Sequence, residues 1–165
     1  MRVLVAYLSQ TGNTKKVAEA VYSAIPEPKE IKRIEDVTSL EGYDLTFLGF
    51  PMHMFGPDEK VKTFLGTHTK DRAIALFITH MAPEGFQPVQ VGIQKFRDAA
   101  AGANIVGVFD CQGQACQELK TNMLNSPSPQ LRMFAQVDYS QGQPDATRLE
   151  RARAFANETM NKVRP

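Results

Sequence analysis

The sequence predicts an open α/β sheet, parallel and covered by helices on both faces. Three observations lead there. Dense apolar runs recur along the chain as strands. The stretches between them place apolar residues at the three-and-four spacing of a helix. Polar, glycine-bearing loops join strand to helix, and right-handed crossovers between such units give a parallel, doubly wound sheet.

Arg2 to Ser9 is the first strand. Val3, Leu4, Val5, Ala6, Tyr7 and Leu8 are apolar without a break, the pattern of a central strand covered on both faces. From Asn13 the period becomes helical, with Val17, Ala18, Val21, Ala24 and Ile25 on one face and Pro26 as the stop. Glu30 to Ile34 is a short strand in which only Ile31 and Ile34 are apolar, which suits a sheet edge. Asp44 to Phe50 is a clearer strand, with Leu45, Phe47, Leu48 and Phe50. Pro57 then opens a helix with Asp58 and Glu59 in its first turn and Val61, Phe64 and Leu65 on its buried face.

Ala73 to Thr79 repeats the strong apolar strand, and a helix from Pro88 carries the stripe Val89, Ile93, Phe96 and Ala100, ending near Gly102. Asn104 to Phe109 is the last strand, closing into Asp110-Cys111-Gln112-Gly113. Between Gln114 and Gln143 the pattern weakens. Cys116, Leu119 and Met123 suggest one short helix, broken by Ser126-Pro127-Ser128-Pro129. Pro144 begins a final helix with Leu149, Ala152, Ala156, Met160 and Val163 on one face.

At 165 residues, 42% apolar and 22% charged, without repeats or low-complexity tracts, the chain is expected to be one domain, residues 1–165. The apolar run at Val3 to Leu8 is too short to span a bilayer or to serve as a signal peptide, which predicts a cytoplasmic protein with no membrane partner. Net charge is +1, from 19 basic and 18 acidic residues, and no basic cluster is interleaved with aromatics, so nucleic acid is not implied. The spacing of Cys111 and Cys116 matches neither a zinc knuckle nor a Cys-x-x-Cys pair, and reduced thiols with no metal are expected.

Function is concentrated at Ser9-Gln10-Thr11-Gly12-Asn13-Thr14, between the first strand and the first helix. Backbone N–H groups of a first helical turn have no intrahelical partner, and the helix dipole favours negative charge there. Hydroxyls of Ser9, Thr11 and Thr14 and the amides of Gln10 and Asn13 surround that end, and Gly12 supplies a turn. The same residue types cap helices, and capping is the alternative reading, but a cap needs only one of them. The stretch is neither G-x-x-x-x-G-K-[ST] nor G-x-G-x-x-G, which points away from ATP and dinucleotides toward a mononucleotide with a single phosphate.

Ligands of doubly wound sheets lie at the carboxyl ends of strands, where strand order reverses. Two further loops qualify: Pro51-Met52-His53-Met54-Phe55-Gly56, and Thr79-His80-Met81 continuing through Gly85 and Phe86. Asp110 to Gly113 is placed to border the same pocket. The Met and Phe residues either face a ligand or pack against the sheet, and His53 and His80 are either polar loop residues or sources of a proton or charge.

The stretch from Val3 to Thr14 resembles the first strand and phosphate loop of flavodoxins, an apolar strand followed by [ST]-x-T-G-N-T. Further blocks are similar to a compact flavodoxin-like branch: Gly49 to Pro57, Phe77-Ile78-Thr79, Phe109 to Gly113, and Pro144-Asp145 with Leu149 to Phe155. The resemblance implies a three-layer flavodoxin-like fold with strand order 2-1-3-4-5 and non-covalently bound FMN. On that basis Ser9, Gln10, Thr11, Gly12, Asn13 and Thr14 hold the phosphate. Pro51, Met52, His53, Met54, Phe55 and Gly56, with Thr79, His80, Met81, Gly85 and Phe86, embrace the ring. The peptide at Gly56 takes the place of one that flips in flavodoxins, which glycine makes cheap.

Two departures bear on function. The chain has no Trp to stack on a ring, and its charge of +1 differs from the acidic character of flavodoxin electron carriers. Docking through apolar Met and Phe residues, or direct entry of a small substrate, takes the place of acidic steering. Cys111 is read as an inert buried thiol. The leading expectation is an FMN electron-transfer protein linking a reductase to an acceptor enzyme, as a monomer or weak dimer. The alternative is an FMN-dependent reductase acting directly on a quinone, tetrapyrrole or nitro compound. A flavin-free binding module is a third class, opposed by the intact Ser9 to Thr14 stretch.

Overall fold

Strands β1 (Val3–Tyr7), β2 (Lys29–Arg33), β3 (Leu45–Pro51), β4 (Ala73–His80) and β5 (Asn104–Gln112) pair in parallel, in the order β2-β1-β3-β4-β5. This is the order that the resemblance implied. The computed structural model describes residues 1–26 and 28–164.

Successive side chains of a strand point to opposite faces, and this alternation divides the core in two. Leu4, Ala6, Leu48, Phe50, Leu76 and Ile78 meet helices α2 (Glu59–His68) and α3 (Gln87–Ala99) through Val61, Leu65, Val89, Ile93 and Phe96. Val3, Val5, Leu45, Phe47, Ala75 and Phe77 meet α1 (Asn13–Ala24) and the C-terminal helix Ala146–Val163 through Val17, Val21, Ala152, Ala156 and Met160. Val3 to Ala6 are fully buried because helices cover both faces of β1. β2, partly exposed and rich in charge, takes the edge beside β1. No helix among the described residues is long and apolar enough to cross a membrane.

One contact explains a glycine in the middle of a buried strand. Gly49 of β3 stands directly opposite Phe77 of β4. A Cβ at Gly49 would overlap Cε2 and Cζ of the Phe77 ring, so the ring occupies the space that the missing side chain leaves.

The helix starts differ from the sequence expectations in an informative way. Asp58, expected in a first turn, is instead the N-cap of α2, its Oδ1 accepting the Val61 N–H at 2.8 Å. Asp145 likewise caps the last helix by accepting from the Arg148 N–H at 3.0 Å, so Pro57 and Pro144 stand outside the helices they were expected to open. The helix expected from Pro88 begins at Gln87.

The segment after β5 holds two helices, α4 (Gln117–Leu124) and α5 (Pro129–Val137), where one was expected; the helix Ala146–Val163 is therefore α6. Ser126 to Pro129 ends one helix and also starts the next. Ser128 accepts from the Leu131 N–H, and Pro129 occupies the first turn. β5 runs on through Asp110, Cys111 and Gln112, which were expected to form a loop.

Candidate functional site

The carboxyl ends of β1, β3, β4 and β5 surround a cavity of about 230 Å³. Ser9, Gln10, Thr11, Asn13 and Thr14 line it from the β1 side, Pro51, Met52 and His53 after β3, and Thr79, His80 and Met81 from the end of β4. Gly12, Met54, Phe55, Gly56, Gly85 and Phe86 are not part of the lining. A further wall, from Gly113 to Cys116 with Leu119, follows β5. Only its first residue was anticipated, although the strand-end rule that selected the other loops applies equally here.

The first loop is folded over the start of α1. Ser9 Oγ accepts from the N–H groups of Gly12, at 3.1 Å, and Lys15, at 3.3 Å, and its hydroxyl proton stays available to a ligand. Gly12 is the N-cap, in the left-handed region at φ +96°, and contributes no capping side chain. A Ser, Thr or Asn cap, the alternative reading, is therefore absent at the N-cap itself. Thr14 is buried, its Oγ1 2.8 Å from Oγ1 of Thr79, so a hydroxyl pair ties this loop to the end of β4. Asn13 Nδ2 donates to the Gln114 carbonyl at 2.8 Å and anchors the fourth wall. A Cβ at Gly113 would fall 2.7 Å from the Asn13 amide, which accounts for glycine at that position.

The second loop is held at its base and strained at its tip. The Met52 N–H donates to the Thr79 carbonyl at 2.8 Å, and the His53 N–H donates to the Gly56 carbonyl at 2.9 Å. Between them Met54 and Phe55 take φ values of +45° and +54°. Two non-glycine residues in the left-handed region cost roughly 1–2 kcal/mol each. The left-handed backbone of this loop is thus carried by the two residues before Gly56. Met54 is 95% exposed at this tip, while Met52 lies against α3, where a Cβ at Gly92 would come within 2.8 Å of its Cε. Among the described residues His53 Nε2 is buried without a hydrogen-bond partner. An unsatisfied buried polar atom of this kind costs about 1–3 kcal/mol.

The third loop is rigidly tied. His80 is buried, with Nδ1 2.9 Å from the Ala82 carbonyl and Nε2 3.0 Å from Asp110 Oδ2. Gln112 Nε2 donates to the Met81 carbonyl at 2.8 Å, and the Gly113 N–H donates to the His80 carbonyl at 2.7 Å. Phe86 turns outside the cavity, its ring 6.1 Å from that of Phe55 and 6.0 Å from that of Phe134 on α5. Burial first, and then the charges of Glu84 and Asp110, push the Cys111 thiol up to about 12, so it remains an unreactive thiol.

Glu84 clamps this loop to α6, accepting from Arg148 Nε at 2.8 Å and from an Arg151 terminal nitrogen at 2.7 Å. Burial pushes its carboxyl up, but the Arg151 hydrogen bond and the Arg148 and Arg151 charges outweigh that and hold it below the ordinary glutamate range. A carboxyl lowered in this way adds stability that is complete above its unfolded value, about 4.3. That stability is lost as pH falls through the folded value. Glu84→Gln is expected to cost about 1–2 kcal/mol at pH 7. The gap between variant and parent closes below about pH 4 in thermal melts recorded across pH.

The residues present fit a phosphate and a flat apolar ring. The fit rests on a helix N-terminus whose N-cap residue, Gly12, has no side chain, the Ser9 hydroxyl, the thioether surfaces of Met52 and Met81, and the His53 nitrogen that has no partner among the described residues.

A family model described as a flavodoxin domain matches residues 4–157. Flavodoxin-like domain-containing protein BilS of Clostridioides difficile (strain CD3) is 33% identical over 174 aligned positions, covering 99% of this chain and 98% of that protein. Among solved structures, a flavodoxin from the domain Archaea superimposes with a TM-score of 0.62 at 17% identity, covering 99% of both chains. A flavoprotein from Lactobacillus acidophilus NCFM, solved in complex with FMN, superimposes with a TM-score of 0.54 at 22% identity, covering 66% of this chain and 92% of that one. The structural likenesses speak for the fold. The family model, extending over nearly the whole chain, and the relative at 33% identity go further: this chain belongs to the flavodoxin family.

Proposed function

We propose that the chain holds FMN in the strand-end cavity and carries electrons from a reductase to an acceptor enzyme. The observation that carries this reading is the place of the cavity, at the carboxyl ends of the strands and against the α1 N-terminus. The exposed apolar tip at Met54, directly after the lining residue His53, suits docking by a partner protein, which favours transfer to a partner over turnover within this chain.

In this reading the α1 N-terminus, with Ser9, Thr11 and the Thr14–Thr79 hydroxyl pair, receives the phosphate, and Met52, His53 and Met81 border the ring. FMN when bound supplies one- or two-electron redox chemistry, and the protein's part is to seat it, exclude water and set the polarity around it. Gln10, Gly12 and Asn13 shape the phosphate loop. The exposed Met54 and Phe55, beside Phe86, offer an apolar rim for redox partners in place of acidic steering.

The test is titration of purified protein with FMN, followed by mixing with a flavodoxin reductase and NADPH. A bound-flavin spectrum, rapid reduction and no turnover of quinone, tetrapyrrole or nitro substrates are expected. Turnover of one of those substrates without a second protein overturns the carrier reading, and failure to bind FMN overturns both redox readings. Thr11 is exposed, so Thr11→Ala is expected to weaken FMN about tenfold while changing stability by less than about 0.5 kcal/mol. Thr14→Ala removes a buried partner of Thr79, and about 1–2 kcal/mol of stability should go with it in denaturant melts.

A further inference from the structure

Two histidines line the cavity, and the structure treats them oppositely. Both ring nitrogens of His80 are taken, by Ala82 and Asp110. His53 Nε2 has lost contact with water and has no partner among the described residues. We propose that His53 Nε2 is the chain's hydrogen-bond contact to the polar, heterocyclic edge of the flavin ring, an inference that rests on the FMN reading above.

The loop backbone that carries this imidazole is tied down before any ligand arrives. The His53 N–H is fixed to the Gly56 carbonyl and the Met52 N–H to the Thr79 carbonyl, while the absence of a side chain at Gly92 lets Met52 settle against α3. The left-handed residues Met54 and Phe55 turn the tip outward, so that Met54 is exposed and His53 remains part of the cavity lining. A loop ordered in advance loses little freedom when a ligand binds. His53 Nε2 is desolvated whether or not a ligand is present, so a polar atom of the ligand supplies a bond that the apoprotein lacks.

The sheet order separates this contact from the phosphate. Phosphate donors gather where β1 enters α1, whereas His53 follows the neighbouring strand β3 and has Met52 beside it in the lining, which suits the ring. A neutral imidazole carries one donor and one acceptor nitrogen, and the edge of the flavin ring presents both N–H and carbonyl groups. Either tautomer therefore finds a match.

The proposal is tested by titrating the parent, His53→Leu and His53→Gln with FMN and with riboflavin, which lacks the phosphate, and by melting each apoprotein. His53→Leu is expected to weaken both ligands about tenfold and to the same factor, the loss of one hydrogen bond in a desolvated site. Its apoprotein should melt at the parent temperature or above, because an apolar side chain replaces an unsatisfied one. His53→Gln should recover part of the affinity, and the Nε2 resonance of 15N-histidine-labelled protein should move on addition of FMN. Unchanged FMN affinity in His53→Leu overturns the proposal. A loss seen for FMN but not for riboflavin overturns it in favour of a phosphate contact, and a lowered apoprotein melting temperature overturns it in favour of a structural histidine. A parent protein that binds neither flavin removes the FMN reading itself, an outcome distinct from all three.

Discussion

Gly49→Ala is expected to cost about 3 kcal/mol or more, near or beyond the top of the usual overpacking range. That corresponds to a fall of roughly 6–12 °C in the melting temperature of a domain of this size. The added methyl overlaps the Phe77 ring, with Cδ2 at 2.8 Å as well as the two atoms further along the ring. Phe77 is fully buried in the core on the α1 and α6 side, in one cluster with Phe47, Val17, Val21 and Phe109, where close packing resists a turn of the ring. Nor can β3 retreat, since the Gly49 carbonyl accepts from the Leu8 N–H at 2.9 Å and the strand is paired on both sides. A double variant, Gly49→Ala with Phe77→Leu, should recover part of the loss, because the smaller side chain vacates the space. Denaturant or thermal melts of the four proteins in that cycle measure the coupling. Additive costs would show that the methyl is accommodated somewhere other than against Phe77.

The strands and the first helix were legible because their signal is one of burial: an unbroken apolar run such as Val3 to Leu8 admits few placements other than a central strand covered twice. The edge position of β2 was legible for the opposite reason, its charge. α5 was not, because the Ser-Pro repeat that reads as a breaker is also a helix start, and only the chain on either side decides which. The loop from Ser9 to Thr14, as one wall of the cavity, could be picked out from local residue types. The fourth wall could not, because it depends on a contact between Asn13 and Gln114, 101 residues apart. His53 and His80 looked equivalent in sequence. What separates them is the presence of Asp110 and Ala82 around one ring and, among the described residues, no hydrogen-bond partner for Nε2 of the other.

That long-range contact gives the second large effect. Gly113→Ala is expected to weaken FMN binding about 10- to 100-fold and to cost about 1–3 kcal/mol of stability, as overpacking does. The new methyl would lie 2.7 Å from Cγ and Nδ2 of Asn13 and 2.9 Å from its Cβ, so a side-chain rotation alone cannot clear it. Asn13 then gives up the Gln114 carbonyl, and the wall from Gln114 to Cys116 separates from the α1 N-terminus across the cavity mouth. The fold survives because the same wall keeps two other ties, the Gln114 N–H to the Gln143 carbonyl at 2.9 Å and the Ala115 N–H to Ser140 Oγ at 3.0 Å. Asn13→Gly removes both the tether and the obstacle, its Cβ included. Gly113→Ala in that background should therefore add little to either the melting temperature or the FMN dissociation constant, a coupling of about 1–2 kcal/mol. Flavin titrations and melts of the two single variants and the double variant measure it. Independent, additive losses would mean that Gly113 acts on the cavity through its own backbone, whose N–H donates to the His80 carbonyl, and that Asn13 is a bystander.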